Sequence, residues 1–206
     1  MANLTVVYYS LTGNTFRVAQ AVEEGARAAG AQTRLRRIRE TLPADALAGN
    51  AAHQAYAKAA GNVGEATLDD LDWADGILLG SPTRYGALAG QMKSFLDSTG
   101  PLWGQGKLAN KAVAAFTGAQ NPHGGQETTL LTIYNVMYHW GAVITPPGYT
   151  DQSVFAAGGN PYGVSFTASS DGNPSQEVLA AARYMGGRVA RFAAVLADNR
   201  SRLSAQ

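Results

Sequence analysis

The chain opens with a nearly continuous apolar run, Leu4-Thr5-Val6-Val7-Tyr8-Tyr9, rich in β-branched and aromatic side chains. Such a run predicts a strand covered on both faces. After it the period changes: Val18, Val22, Ala26 and Ala29 recur at helical spacing, and Gly30 suits the helix stop. The alternation then repeats. Strands are predicted at Thr33 to Ile38, Gly76 to Ser81, Lys111 to Thr117 and Ala142 to Thr145. Helical faces are predicted by Leu88, Met92, Phe95 and Leu96, and again by Leu130, Ile133 or Tyr134, Met137 and Trp140. A last helix carries Val178, Ala182, Met185, Val189, Phe192 and Leu196, with Asn173 as its cap, Pro174 in first helical position and Gln176 closing a capping box.

Three stretches interrupt the pattern. Residues 40–66 dissolve into Ala, Gly, Asn and Pro, a functional or mobile loop or an irregular helix. Residues 67–74 read as a short acidic turn, and 148–172 as a glycine-rich irregular segment holding four aromatics. Five strands alternating with helices mean an α/β fold, a parallel sheet with helices on both faces. Ligands of such sheets sit outside the carboxyl ends of the strands. That rule selects three loops: 10–15, 82–87 and 118–126.

Composition narrows the class. The 206 residues are 46% hydrophobic and 15% charged, with net charge +1, as expected of one globular domain without a general pull on nucleic acid or anionic membrane. The local run Arg34, Arg36, Arg37 and Arg39 reads better as a charge-protected edge strand than as a nucleic-acid patch. There is no cysteine, which excludes disulfides, thiol redox catalysis and cysteine metal sites. No signal peptide or membrane-spanning run is evident, so a cytoplasmic location without membrane insertion is expected. No metal-ligand cluster stands out.

The first loop, Ser10-Leu11-Thr12-Gly13-Asn14-Thr15, joins a strand to a helix start, where backbone N–H groups and the helix dipole favour an anion. The same residues also suit plain turning and capping. It has neither the lysine of a P-loop nor the glycine spacing of a dinucleotide fingerprint. The second loop offers Arg84 and Tyr85 between Pro82 and Gly86; the third offers glycines that let the backbone approach a flat ring. A phosphate at one end and a planar heterocycle between two loops describe FMN.

These motifs carry a family resemblance. Ser10-x-Thr12-Gly13-Asn14-Thr15 resembles the phosphate loop of flavodoxins. Gly80-Ser81-Pro82-Thr83-Arg84-Tyr85-Gly86, together with Gly90-Gln91-Met92-Lys93-Ser94-Phe95-Leu96-Asp97, is similar to the WrbA family of NAD(P)H:quinone oxidoreductases. So are Leu102-Trp103, Gly124-Gly125-Gln126-Glu127, His139-x-Gly141, Gly148-Tyr149 and Pro161-Tyr162-Gly163, and the likeness runs on to Arg183-Tyr184. The chain departs from that family at Thr12 and Asn14, where the family has an aromatic residue and a histidine, and its third loop is one residue longer at Pro122-His123.

The resemblance implies a flavodoxin-like, doubly wound, five-stranded parallel sheet in order 2-1-3-4-5, with residues 1–206 forming one domain and insertions at about 40–66 and 148–172. It implies FMN as cofactor and hydride transfer from NADH or NADPH, followed by two-electron reduction of a quinone; one packed and one open ring face between the loops would make the two substrates take turns, with ping-pong kinetics. It implies a homotetramer with pockets built across subunits. The implied cofactor contacts are Ser10, Leu11, Thr12, Gly13, Asn14, Thr15, Pro82, Thr83, Arg84, Tyr85, Gly86, Thr117, Gly118, Ala119, Gln120, Gly124, Gly125 and His139, with Trp103 in the substrate pocket. Arg84 would favour the negative charge that reduction places on the flavin, and Tyr85 and Trp103 would stack on flat rings. Trp103 also suits a plain core position, and His139 a hydrogen-bonded structural one or a catalytic one. His53 and His123 carry no readable signal. The alternatives are a flavodoxin-like electron carrier and a regulatory FMN-binding protein.

Overall fold

The computed structural model describes residues 1–168 and 173–203. Four residues of the glycine-rich segment, 169–172, and the terminal 204–206 lie outside the described residues. β1 (Asn3–Tyr8) leads into α1 (Asn14–Ala28), and β2 (Gln32–Arg37) follows. The stretch expected to be irregular holds α2 (Ala44–Leu47) and α3 (Ala51–Ala59). The acidic turn is α4 (Leu68–Trp73), with a complete capping box between Thr67 and Asp70. β3 (Gly76–Arg84) turns back on β4 (Ala87–Leu88), and α5 (Gly90–Asp97), α6 (Gly100–Gly104), β5 (Ala112–Ala119) and α7 (Gln126–Trp140) complete the middle of the chain. β6 (Val143–Ile144), α8 (Gln152–Ala156), β7 (Val164–Thr167), α9 (Gln176–Asp198) and α10 (Arg200–Leu203) end it.

The parallel sheet runs β2-β1-β3-β5-β6, with β4 antiparallel to β3 and β7 parallel to β5. The sheet therefore has seven strands, five of them in order 2-1-3-5-6, where the sequence pattern predicts five strands and the family resemblance implies the order 2-1-3-4-5. Two causes account for the difference. Tyr85 and Gly86 fold the end of β3 into a two-residue hairpin, which adds β4. The expected fifth strand is also split. β3 occupies one edge of β5 from Ala112 to Gly118, so β6 against Ala112 and Val113, and β7 against Phe116 to Ala119, share the other edge. Pro146-Pro147 cannot donate to a ladder, so the chain leaves after β6 and returns as β7, within the segment expected to be irregular.

Strand alternation sends side chains to two cores. Leu4, Val6, Tyr8, Leu78, Ala114 and Phe116 pack under α1 and α9, whereas Val7, Ile77, Leu79, Val113 and Ala115 pack under α4, α5 and α7. α1 and α9 touch backbone to backbone. A Cβ on Gly25 would sit 1.9 Å from the Arg183 carbonyl oxygen, and one on Gly186 would sit 2.0 Å from that of Val22. Only glycine permits this seam, which fixes the register of α1 and hence the position of the loop before it. The cap of α9 is Ser175, which accepts from the Val178 N–H at 3.3 Å, in place of the expected Asn173. Pro174 consequently lies outside the helix.

β2 is the sheet edge, and its arginines are occupied. Arg34 and Arg36 meet the buried Asp70 carboxylate at 3.1 and 2.9 Å, Arg37 meets Glu65 at 3.5 Å, and the Arg34 guanidinium lies 4.1 Å from the centre of the Trp73 ring. No helix among the described residues is long and apolar enough to cross a membrane.

Candidate functional site

The carboxyl ends of β1, β3, β5 and β7 open onto one cleft, lined by Ser10, Leu11, Thr12, Asn14, Thr15, Pro82, Thr83, Arg84, Gly118, Ala119 and Gln120, with Phe166 and Ala168. At one end lies the start of α1. Gly13 stands before it at φ +99°, and no side chain caps the helix. Ser10 Oγ accepts from the Gly13 N–H at 3.0 Å and closes the loop. Among the described residues, the N–H groups of Thr12, Asn14 and Thr15 have no protein acceptor. Ser10 and Thr15 are buried, at 5% and 2% exposure. Unpaired donors at an uncapped helix start, reinforced by hydroxyls and the positive end of the dipole, suit a phosphate.

The second wall is the β3–β4 hairpin. Tyr85 and Gly86 have φ of +53° and +78°, the signature of a two-residue turn with both central residues left-handed. The turn holds the Tyr85 side chain fully in solvent. Arg84 donates to the Thr83 carbonyl at 3.0 Å, and among the described residues it meets no carboxylate. Its charge is therefore not neutralised among the described residues. Thr83 is held from behind: its Oγ1 donates to the Gly124 carbonyl at 3.2 Å and accepts from Thr129 Oγ1 at 2.7 Å. Ser81 Oγ accepts from the Ala89 N–H at 2.9 Å and ties the two arms together.

The third wall is the end of β5. Gly118, Ala119 and Gln120 reach the cleft, whereas Thr117 is fully buried and donates to the Ser81 carbonyl at 2.7 Å, so its hydroxyl braces β5 against β3. Gly118 must be glycine because a Cβ would stand 2.2 Å from the Phe166 ring. Gly124 and Gly125 lie behind the cleft, where a Cβ on Gly125 would come 2.7 Å from the Gly86 Cα, so this pair seats the hairpin. The buried Gln126 donates to the Asn121 carbonyl at 3.1 Å and fixes the loop's return. Phe166 and Ala168 line the cleft although the loop rule does not select them, because the rule selects loops and β7 lies inside an irregular-looking segment.

Two predicted site residues lie elsewhere. Trp103, on α6, is 58% exposed, and its indole N–H donates to the His139 carbonyl at 2.8 Å. The exposed His139 is at the far end of α7, roughly 20 Å along the helix from the third loop at about 1.5 Å per residue. The structure brings Trp103 and His139 to each other but not to the cleft of their own chain. His53, unreadable in the sequence, sits on α3, and its Nδ1 lies 2.9 Å from the Leu11 carbonyl oxygen. His123 is exposed in the third loop.

Just before the first loop, Tyr9 Oη donates to Glu40 at 2.7 Å, and Gln91 donates to the same carboxylate at 2.9 Å. Burial opposes charge on Glu40, but these two bonds and the N–H groups of Leu42 and Thr41 outweigh it and hold the carboxyl below its usual range. The Tyr9 hydroxyl is held above its own, by burial first and then by Glu40. Among the described residues no group of three metal-ligating side chains forms.

The cleft fits the cofactor that the motifs imply. N–H groups without a protein acceptor among the described residues suit a phosphate at one end, and the backbone edges that close β3 and β5 suit a flat ring at the other, beside a guanidinium that meets no carboxylate among the described residues. Comparison with known proteins agrees. The model of the NADPH-dependent FMN reductase family matches residues 3–153. An NAD(P)H dehydrogenase (quinone) of Deinococcus radiodurans is 53% identical over 166 residues, covering 81% of this chain and 83% of its own. One from Geobacter sulfurreducens is 44% identical over 201 residues, covering 94% and 98%. The crystal structure of a flavodoxin, WrbA-like protein from Agrobacterium tumefaciens superposes with a TM-score of 0.66 at 28% identity, covering 95% of this chain and 99% of that one. With its flavodoxin-like α/β fold and these relatives, the chain belongs to the WrbA-like NAD(P)H dehydrogenase (quinone) family, within the NADPH-dependent FMN reductases.

Proposed function

We propose that this protein is an FMN-dependent NAD(P)H:quinone oxidoreductase, a single FMN-binding domain working in the cytoplasm. The observation that carries the reading is the set of unpartnered N–H groups at the start of α1, in one cleft with the ends of β3 and β5. When bound there, FMN supplies the chemistry, taking a hydride from NADH or NADPH and passing two electrons to a quinone.

The protein's part is placement and charge. Ser10, Thr12, Asn14 and Thr15 hold the phosphate, where the helix dipole adds ~0.3–1 kcal/mol before hydrogen bonds are counted. Leu11 and Gly13 shape that loop. Pro82, Thr83 and Gly86 set one wall, and Thr117, Gly118, Ala119 and Gln120 set the other, with Gly124 and Gly125 bracing the hairpin. Arg84 keeps a positive charge at the ring's edge, which favours the reduced state. Tyr85 offers its exposed ring to flat substrates.

Trp103 and His139, paired away from their own cleft, act in the cleft of a neighbouring copy within a homotetramer. The exposed Tyr138, Tyr149, Phe155 and Tyr162 supply apolar surface for that assembly. The cleft's open side admits one flat substrate at a time, so nicotinamide leaves before quinone enters and the kinetics are ping-pong. The test is the visible spectrum of the purified protein, followed by anaerobic addition of NADH and then of a quinone. The yellow flavin bands are expected to bleach with NADH and return with quinone. A colourless protein that FMN cannot reconstitute would overturn the reading.

A further inference from the structure

α3 is attached to the rest of the molecule by one narrow stripe. Of residues 51–60, only His53, Tyr56 and Ala60 are turned inward, at the spacing of one helical face, while the others are exposed. The stripe lands on the first loop. The His53 ring meets the Leu11 carbonyl, and a side chain on Gly13 would come 3.5 Å from Tyr56 Cβ. The buried Tyr56 packs edge-on to Phe16, whose ring stacks on Tyr8 at 5.3 Å. Asn50 caps α3 by accepting the His53 N–H at 2.9 Å, so the helix start is fixed where the ring is needed.

The bond to Leu11 has a geometric consequence. A trans peptide is planar, with its C=O and the following N–H pointing in opposite directions. Tethering the Leu11 carbonyl to α3 aims the Thr12 N–H the other way, toward the cleft that Leu11 and Thr12 both line. That N–H is one of the donors with no protein acceptor among the described residues. Were the peptide to rotate, the carbonyl oxygen would face the phosphate in place of the donor and repel it. Ser10 and Gly13 cannot prevent this, since their mutual bond leaves the Leu11–Thr12 peptide unheld. A proton on Nδ1 is required for donation to a carbonyl, and His53 supplies it in either of its forms that carry Nδ1–H.

We propose that His53 is a positioning residue for the cofactor phosphate: it holds the Leu11–Thr12 peptide from behind so that the Thr12 N–H faces the ligand. The proposal rests on the reading of loop 10–15 as the FMN phosphate site. Asn can present an amide donor at the same bond distance from Cβ as His Nδ1, which gives a conservative rescue.

The test measures FMN and riboflavin affinity of the full chain by flavin fluorescence, for wild type, His53→Ala, His53→Leu and His53→Asn. Wild type is expected to prefer FMN to riboflavin strongly. The Ala and Leu variants are expected to weaken FMN by about three- to tenfold, the scale of one hydrogen bond, and leave riboflavin unchanged. Asn is expected to recover most of the loss, and the phosphorus resonance of bound FMN is expected to shift in Ala and Leu only. The Leu variant keeps bulk under the loop and provides the reading if the Ala variant does not fold. Undiminished FMN affinity in Ala or Leu, or equal losses in Ala, Leu and Asn, would overturn the role of His53. Equal affinity of wild type for FMN and riboflavin would instead overturn the phosphate site itself.

Discussion

Tyr85 sits at φ +53° with its side chain wholly exposed. An L-residue in the left-handed region costs about 1–2 kcal/mol, and asparagine bears that conformation better than tyrosine. Because the ring is in solvent, replacing it gives up no core packing. Tyr85→Asn should therefore stabilise the fold by ~1 kcal/mol, or roughly 2–4 °C in Tm for a chain of this size. Tyr85→Gly should gain less, since the freedom of glycine in the unfolded chain offsets ~0.5–1 kcal/mol. Activity should move the other way. Loss of ring stacking, worth ~0.5–1.5 kcal/mol, should lower kcat/KM for a quinone by up to about tenfold. The assay is thermal melting of the apo and FMN-loaded forms, with the assembly state checked by size exclusion, alongside steady-state kinetics. If both variants melt at or below the wild-type temperature, the hairpin stores no such strain. If quinone turnover is unchanged, the exposed ring does not read the substrate.

Thr15→Glu places an anion at the start of α1; at ~4 Å two like charges near a protein surface repel by about 1–4 kcal/mol, so FMN affinity should fall by roughly tenfold or more while riboflavin affinity changes little, as calorimetry would show. Trp103→Ala should slow both the NADH and the quinone half-reactions by up to about tenfold in stopped flow; slowing of one alone would mean that the two substrates do not share the indole. Lys111 is 6% exposed, and burial pushes its ammonium down from 10.5 to about 8. Between about pH 8 and 10 the unfolded chain holds a proton that the folded chain has released, so stability should rise with pH. Above pH 10 the hydroxyls of Tyr8, Tyr9 and Tyr134, held high chiefly by burial, reverse the slope. Urea melts across pH 7–11 check this, and Lys111→Met should flatten the rising limb.

The parts of the fold that repeat a period were legible. Leu4 to Tyr9 announces itself because both faces of the strand are covered, and α1 and the last helix because one side of each must be apolar. The split edge strand was not, because β7 is four residues long and follows the turn-like run Gly158-Gly159-Asn160-Pro161. The hairpin was missed for a different reason: its turn uses Tyr85 in a conformation that sequence rules reserve for glycine and asparagine. In the site, the loop from Ser10 to Thr15 was legible as a hydroxyl-rich helix start, but the same residues suit capping as well as an anion, and only the structure shows that no side chain caps α1. The brace of Thr83 on Gly124 and Thr129, and the reach of His53 to Leu11, could not be read, because such contacts depend on elements brought together from distant parts of the chain.

The glycine seam between α1 and α9 also orders events during synthesis. The loop from Ser10 to Thr15 is made well before the surface that seats its helix, around Arg183 and Gly186. At about 5–20 residues per second, roughly 9–35 s separate the two. Throughout that interval α1 has no partner for its glycine face, and a nascent chain has no finished pocket in which to trap a flavin. Cofactor capture should therefore wait for α9, and a truncation that removes α9 alone should yield an apoprotein even though every residue lining the cleft is still present.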